Sequence, residues 1–241
     1  MVEMVRVNSY EEPPFRMEEI MRYAGAGGSG REDILTLAQE CAGLVRGKLS
    51  YRVCWREFPV TCDETGFDLG FARTESASLR RHLMGCDRIV LFAATVGLNM
   101  DRLIARCSAV SPARALMLQA VGAERIEALC DLFCGDISRR AAGDGKRARP
   151  RFSPGYGDLP LELQRDIFRV MDCQRAIGLT LNESLLMSPS KSVTAIIGIG
   201  KDLLDTGKAK NEAGVPSASG GCAGCTGIDC PYRKEQYDEN H

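Results

Sequence analysis

The chain has 241 residues, a formal net charge of −1 and 44% hydrophobic residues. A charge so close to zero excludes a broad electrostatic attraction to nucleic acid or to an anionic membrane, and the apolar content suffices for one large or two small cores. The longest apolar run, IVLFAATVGL, is about half as long as a bilayer span. The N-terminal MVEMVRVNSYEEPPFRMEE lacks the apolar region of a secretory signal. We therefore expect a cytoplasmic protein that binds neither nucleic acid nor a membrane.

The eleven cysteines do not indicate a disulfide scaffold. Their number is odd, the chain is long, and most of them stand alone within apolar patterns, as Cys54, Cys107, Cys130 and Cys173 do. Free cysteine behaves as a small apolar residue, and disulfides are rare in reducing compartments. These four side chains are predicted to be core thiols.

The first part of the chain predicts two helices and a strand. A short helix spans Met17 to Tyr23 within a polar N-terminal segment, and the glycine-rich GAGGSG follows it. Apolar residues recur every three or four positions over 31–48, which is typical of an amphipathic helix. In YRVCWREFPV, Tyr51, Val53 and Trp55 alternate with residues that are mostly polar, and this predicts a strand.

Helices and strands also alternate in the next part. A helix is predicted from Ser76 to Met84, with Ser76 or Ser78 as its N-cap. RIVLFAAT at 88–95 predicts a buried strand, which Gly97 ends before a helix at 98–107.

A long helix is predicted to begin at Ser111 and Pro112, because serine is a favoured N-cap and proline a favoured first helical residue. Its apolar spacing continues to Ile137. Residues 139–151 read RRAAGDGKRARPR and predict a basic loop, which is either simply solvated or a contact for an acidic partner.

A further helix is predicted from Leu161 to Arg175, followed by strands at 176–181 and 192–200. The elements do not alternate regularly, which favours an α+β fold over a doubly wound one. Lys, Gly, Ser and Ala then dominate the composition, as in a linker. We divide the chain into an N-terminal segment (1–30), an α+β domain (31–204), a flexible linker (205–221) and a cysteine-rich tail (222–241).

The motif RFSPGYG combines features that suit a small zwitterionic ligand. Pro154 favours an extended Ser153, whose backbone groups are then available to a ligand, and Gly155 permits close approach to the main chain. Tyr156 offers an aromatic face and a hydroxyl, and Arg151 offers a planar fork for a carboxylate. An ordinary turn with a surface arginine and a packing tyrosine would explain the same residues.

This motif and the downstream segment LTLNESLLMSPSKSVTAIIG resemble the reactivation domain of cobalamin-dependent methionine synthase. That family carries an Arg-x-x-Pro-Gly-Tyr motif, and later a leucine-threonine-glutamate-serine segment with Met-x-Pro and a serine-valine strand. FAATVGLNMDRLI and LQAVGAERIEALCDLF are similar to short stand-alone members of the family. The resemblance covers about residues 75–200.

The resemblance implies a twisted antiparallel sheet with flanking helices and a shallow groove that binds S-adenosylmethionine. It assigns the ligand carboxylate to Arg151, backbone contacts to Ser153, and packing or hydrogen bonding to Tyr156. Gly155, beside them in the motif, completes the predicted binding residues of the loop.

The resemblance also implies an acidic residue on the helix before the motif, facing the ligand's ammonium and sulfonium. Glu127 is the first candidate and Glu124 the second, while a solvated helix face is the ordinary alternative for Glu127. The family's N-terminal aspartate, which also touches the ligand, has no counterpart that we can identify in residues 1–70.

In the family, one electron and the methyl group of S-adenosylmethionine restore methylcobalamin from cob(II)alamin. This chain lacks the Asp-x-His-x-x-Gly motif of base-off cobalamin modules, and its two histidines are His82, predicted on a helix surface, and His241. The resemblance therefore implies a component of methionine biosynthesis that acts in trans. Its partners would be a cobalamin-binding methionine synthase or another corrinoid protein, and a reductant protein.

The tail carries Cys222-x2-Cys225-x4-Cys230, a spacing typical of metal sites. Structural zinc and iron–sulfur sites both use such spacings and normally need a fourth ligand. Candidates for that ligand are Cys62, Cys173, His241 or a group from outside the chain. The alternative is a tail with incidental thiols. The spacing differs from the Cys-x3-Cys-x2-Cys of radical S-adenosylmethionine enzymes, so that class is excluded.

Three functions follow from these patterns. The first is a methyl-transfer accessory, a stand-alone reactivation module that supplies S-adenosylmethionine to a separate methionine synthase or related corrinoid protein. The second is a non-catalytic module that docks on a corrinoid protein. The third is an electron-transfer protein that uses an iron–sulfur cluster in the cysteine tail.

Overall fold

A five-stranded antiparallel sheet forms the centre of the structure, a computed structural model that describes residues 4–26, 32–63 and 66–201. The helices are α1 (Met17–Tyr23), α2 (Glu32–Val45), α3 (Ala77–His82), α4 (Asn99–Ser108), α5 (Pro112–Gly143), α6 (Leu163–Met171) and α7 (Cys173–Ile177). The strands are β1 (Arg6–Tyr10), β2 (Tyr51–Pro59), β3 (Thr61–Asp63), β4 (Gly66–Asp68), β5 (Arg73–Thr74), β6 (Cys86–Thr95), β7 (Arg147–Phe152), β8 (Thr180–Leu181), β9 (Met187–Ser188) and β10 (Ser192–Gly200). The predicted linker and cysteine-rich tail lie outside the described residues.

The strand order of the central sheet is β1-β2-β6-β10-β7, and every neighbouring pair is antiparallel. Of the three interior strands, β6 and β10 are the long apolar runs that the sequence predicts as strands. Side chains alternate between the two faces of a strand. Val90 and Phe92 of β6 therefore join one core while Ile89 and Leu91 join another.

The sheet thus separates two apolar cores. On one face α5 packs its buried side chains, among them Leu118 and Phe133, against β2, β6 and β10, with α1, α2 and α4 around it. On the other face α6 and α7 bury Ile167 and Ile177 beside Phe58 of β2. Sheet and helices are packed as the α+β prediction requires.

The long helix α5 begins as predicted, because Ser111 accepts a hydrogen bond from the Arg114 backbone N–H (3.4 Å) and proline occupies the first turn. Its C-terminal end differs from the prediction of a basic loop at 139–151. The helix continues to Gly143 because Ala141 is buried, and most of the remaining residues form β7. A proline within β7 is tolerated because that strand is the sheet edge.

Two further local predictions are wrong in detail, and two parts of the sheet structure were not predicted. The helix predicted from Leu161 to Arg175 is two helices, because Asp172 between them has a left-handed backbone with φ 44°. The strand predicted at 176–181 is helical up to Ile177 and extended only over Thr180–Leu181. The edge strand β1 and the small sheet β3-β4-β5 were not predicted, because their residues lack a clear apolar alternation.

Eight cysteines lie in the described residues and all are free thiols. Cys54, Cys130 and Cys173 are buried as predicted, whereas Cys107 is only half-buried. Among the described helices, none is both long and apolar enough to cross a membrane.

Candidate functional site

Arg151 lies on the edge strand β7 opposite Ile197 of β10, and it faces α5. Its Nη1 donates to the Oδ1 of Asp131 at 2.9 Å, and its Nη2 donates to the Oε2 of Glu127. Glu127 and Asp131 stand one turn apart on α5, so both carboxylates reach the same guanidinium. The fold thus brings together two residues that the sequence places in one site, Arg151 and Glu127.

The surroundings of Arg151 keep it charged. Burial acts to lower the pKa of its guanidinium, but the carboxylates of Glu127 and Asp131 outweigh burial and raise the pKa above its usual value. Burial also raises the pKa of the Cys130 thiol, so that thiol stays neutral. The site therefore offers a fixed guanidinium charge beside two carboxylates.

Asp131 connects this pair to the N-terminal segment. Its Oδ2 accepts a hydrogen bond from the Nη1 of Arg16 at 3.0 Å. Neither residue was singled out from the sequence. The four-residue spacing of Glu127 and Asp131 is a local signal that would have found the second carboxylate, but nothing local relates Arg16 to it.

Glu124, the second candidate for the acidic residue, lies in a different environment. Its side chain and that of Arg125 are both 0% exposed, and the Oε2 of Glu124 accepts a hydrogen bond from the Arg125 Nε at 2.6 Å. Arg125 also donates to the carbonyl oxygens of Pro13 and Pro14 and lies 3.8 Å from the ring centroid of Phe15. This pair holds the N-terminal segment against α5. The Oε1 of Glu124 also accepts hydrogen bonds from Arg16, from its backbone N–H at 3.3 Å and from its Nε at 3.5 Å, so Glu124 has its partners inside the protein.

The loop after β7 is a turn with its aromatic side chain in solvent. The backbone N–H of Tyr156 donates to the carbonyl of Ser153 (3.2 Å), and that of Gly155 donates to the carbonyl of Leu159 (2.9 Å). The Ser153 carbonyl is therefore engaged in the turn, contrary to the expectation that both its backbone groups are free. Gly155 has φ 90°, and the Tyr156 side chain is 67% exposed.

Asp158 anchors this loop to the start of α3, an arrangement that the sequence analysis missed. Its carboxylate accepts hydrogen bonds from the Ser76 hydroxyl (2.5 Å) and from the backbone N–H groups of Ala77 (2.8 Å) and Ser78 (3.0 Å). These bonds, led by the one from Ser76, hold the pKa of Asp158 well below its usual range. Ser76 is also the N-cap of α3, one of the two predicted caps, and accepts from the Leu79 N–H at 3.1 Å.

His82, at the other end of α3, contacts strand β7. It was predicted on a helix surface, yet it is half-buried, with its Nε2 2.6 Å from the carbonyl oxygen of Pro150 and its ring 5.1 Å from that of Phe152. Burial lowers the pKa of His82. The residues on either side of Arg151 are thus both in contact with α3.

A family model described as "Vitamin B12 dependent methionine synthase, activation domain" matches residues 80–202, just over half of the chain. The chain belongs to this family. The matched region contains Glu127, Asp131 and the whole of RFSPGYG, whereas Arg16 and the three tail cysteines lie outside it.

This activation-domain chain is also similar to a solved structure titled "Crystal Structure of the MetH Reactivation Domain bound to AdoHcy". The TM-score is 0.59 at 16% sequence identity, and the match covers 88% of this chain and 81% of that one. The likeness confirms the predicted fold of helices around an antiparallel sheet. The comparison with curated proteins finds no match.

Of the candidate residues of the activation domain, Glu127, Arg151 and Ser153 are half-buried, whereas Gly155 and Tyr156 are exposed. Two hollows, of about 390 and 180 Å³, are lined by other residues; the larger includes Cys173 of α7 and the smaller includes Arg88 of β6. Within the described residues, no three His, Cys, Asp or Glu side chains are grouped as metal ligands. Cys222, Cys225, Cys230 and His241 lie outside those residues; of the other fourth-ligand candidates, Cys173 is buried beside Cys54 and Cys62 is exposed.

Proposed function

We propose that this chain is a reactivation module that binds S-adenosylmethionine and acts on a cobalamin held by a separate protein. The reaction combines cob(II)alamin, one electron from a reductant protein and the methyl group of S-adenosylmethionine, and yields methylcobalamin and S-adenosylhomocysteine. Membership of the activation-domain family supports this function. So does the likeness in fold to a reactivation domain that carried AdoHcy, the demethylated product.

The observation that carries the proposal is the ion pair between Arg151 and Glu127. The amino-acid end of S-adenosylmethionine has one carboxylate and one ammonium. When it binds between the two side chains, the carboxylate takes the place of Glu127 on the guanidinium, and the ammonium takes the place of Arg151 on Glu127. The exchange conserves charge, so neither side chain is left without a partner.

The rest of the ligand would lie along the RFSPGYG loop. Tyr156 has most of its surface in solvent and offers a face on which the adenine can stack. Gly155, without a side chain, leaves the main chain open to close approach. Because the site is open, the methyl group would be accessible to a corrinoid presented by another protein.

Calorimetric titration of the full chain with S-adenosylmethionine and with S-adenosylhomocysteine tests this proposal. We expect both to bind, and Arg151→Ala to weaken both by about 1.5–3 kcal/mol, the value of a charge-assisted bidentate contact. Arg169→Ala is the matched control, because that arginine makes an exposed pair with Asp166 on α6. Absence of binding to the wild-type chain, or an unchanged affinity in a folded Arg151→Ala variant, would contradict the proposal.

A trans assay tests the reaction itself. The chain is added to a methionine synthase that lacks its activation domain and holds cob(II)alamin, together with S-adenosylmethionine and a one-electron reductant. We expect methylcobalamin to form at a rate that depends on this chain. If binding is observed but no methylcobalamin forms, the chain is a docking module and not a reactivation module.

A further inference from the structure

The thiols of Cys54 and Cys173 are in contact in the apolar core that lies across the sheet from α5. Cys54 belongs to β2 and Cys173 is the first residue of α7, and both are free thiols that are 0% and 1% exposed. A hydrogen bond joins the two sulfurs. Arg52, on the same face of β2 as Cys54, donates from its Nη2 to the carbonyl oxygen of Ala176 at 2.7 Å. This bond holds α7 on β2, so the two thiols stay adjacent.

The larger hollow leads from solvent to this pair. Cys173 lines it, together with Arg165, Arg169 and a single carboxylate, that of Asp172. The volume of about 390 Å³ admits hydrogen peroxide, which is little larger than water with its share of about 30 Å³ in the liquid. Buried thiols are inert where no oxidant reaches them, and an excess of positive charge favours the reactive thiolate. The hollow thus supplies both access and a favourable charge.

The two thiols differ in acidity. The pKa of Cys54 is lowered against burial, first by the hydrogen bond with Cys173 and also by the charge of Arg52. The same hydrogen bond and burial raise the pKa of Cys173. Cys54 is therefore the thiol that more readily becomes a thiolate, and Cys173 keeps its proton and donates it in the hydrogen bond.

We infer that Cys54 and Cys173 form an oxidation site, which hydrogen peroxide entering through the larger hollow converts to a disulfide between β2 and α7. This inference does not depend on the proposed function. Disulfides of proteins in reducing compartments are mostly transient and redox-sensing, and a thiol reductant would reverse this one by exchange.

The chemistry takes place in two steps. The Cys54 thiolate attacks one oxygen of hydrogen peroxide, the O–O bond breaks, and the departing hydroxide takes up a proton and leaves as water. The resulting sulfenic acid is then attacked by the sulfur of Cys173, the S–O bond breaks, and hydroxide leaves with the Cys173 proton as a second water. The two thiols lose two electrons and two protons, and the peroxide is reduced to two waters.

Peptide mapping of the full chain tests this inference. The folded protein is treated with equimolar hydrogen peroxide, its remaining thiols are alkylated during unfolding, and it is digested with trypsin. Cleavage after lysine and arginine places Cys54 in peptide 53–56 and Cys173 in peptide 170–175, each with one cysteine. We expect these two peptides joined, two hydrogens lighter than their sum, and separated again when the protein is reduced before digestion. Absence of the joined peptide, or links from either cysteine to a third one, overturns the inference.

Cys41 is the matched control, because it is a buried thiol in the other core, with its Sγ 3.9 Å from the carbonyl oxygen of Arg114. It should be recovered alkylated from the same digest, and Cys41→Ala should leave the joined peptide unchanged. Cys54→Ala should leave Cys173 as a free thiol, because the attacking thiolate is missing. Oxidation of Cys173 to the same extent in that variant would contradict the assigned order of attack. If Cys54→Ala does not fold, the wild-type digest decides alone.

Discussion

The carboxylate of Asp158 accepts a hydrogen bond of 2.5 Å from the hydroxyl of Ser76, although 82 residues separate the two in sequence. Asp158 follows the RFSPGYG motif directly, and Ser76 caps α3. The contact therefore fixes the candidate ligand loop to α3, a helix that is distant from the loop in sequence. Gly157 shows how close the approach is, because a Cβ built there would lie 2.7 Å from the Oγ of Ser78.

Asp158→Ala should release the loop, lower the affinity for S-adenosylmethionine and destabilise the fold in a pH-dependent way. The folded-state pKa of Asp158 is depressed, so its contribution is present above the unfolded value of about 4 and is lost as pH falls through the folded value. The difference in unfolding free energy between wild type and variant should therefore have its full size at pH 7 and decrease as the pH falls below about 4. Urea unfolding across this range measures it, and a difference that stays constant would mean that the carboxylate is not involved.

Tyr156 should affect binding without affecting stability. Its side chain is largely in solvent, so Tyr156→Ala should change the unfolding free energy by less than about 0.5 kcal/mol. If the ring stacks on adenine, the same variant should lose about 1–3 kcal/mol of ligand affinity. Tyr156→Phe distinguishes the contribution of the ring from that of the hydroxyl, because phenylalanine keeps the ring that stacks on adenine and lacks the hydroxyl. Equal affinities of the alanine variant and the wild type would remove Tyr156 from the site.

Much of the fold could be predicted because its signals are local. The start of α5 follows from Ser111 and Pro112, and β10 follows from a continuous apolar run. The edge strands β1 and β7 could not be predicted in the same way. Their residues are polar or basic, and they are extended because they pair with β2 and β10, which composition does not reveal.

In the candidate site, too, the residues with a local sequence signal were predicted and those that depend on distant contacts were not. Arg151 and Glu127 were identified from a motif and from a resemblance, and the structure places them in contact. Asp131, Arg16 and Asp158 were missed, because their roles depend on contacts made across 20, 115 and 82 residues. Only the position of Asp131 one turn after Glu127 was a signal within the sequence.

Breaking the buried pair of Glu124 and Arg125 should destabilise the whole domain. Both side chains are 0% exposed, so Glu124→Gln leaves a buried guanidinium without its counter-charge. Such losses typically cost about 3–5 kcal/mol. Urea unfolding measures this, with Glu40→Gln as a control that removes an exposed pair and should cost less than about 1 kcal/mol. A Glu124→Gln variant as stable as the control would show that the carbonyls of Pro13 and Pro14 suffice to hold Arg125.

A further prediction concerns the cysteine-rich tail and rests on the spacing of its cysteines alone. Cys222, Cys225 and Cys230 lie close enough in sequence to converge on one ion or cluster, and we propose that they bind iron–sulfur or zinc. Anaerobically purified protein should then contain iron with sulfide, or zinc, and replacing all three cysteines by serine should remove it. Metal contents that are the same in both proteins, or nil even after reconstitution, would rule out this site.

The same triple variant decides whether the tail delivers the electron. The residues proposed to hold S-adenosylmethionine lie between 127 and 156, so its affinity should be unchanged by the three serines. If the tail is the electron route, methylcobalamin formation with a protein reductant should stop, whereas a small chemical reductant should restore it because it reaches the corrinoid directly. Formation at the wild-type rate with the protein reductant would show that the electron bypasses the tail.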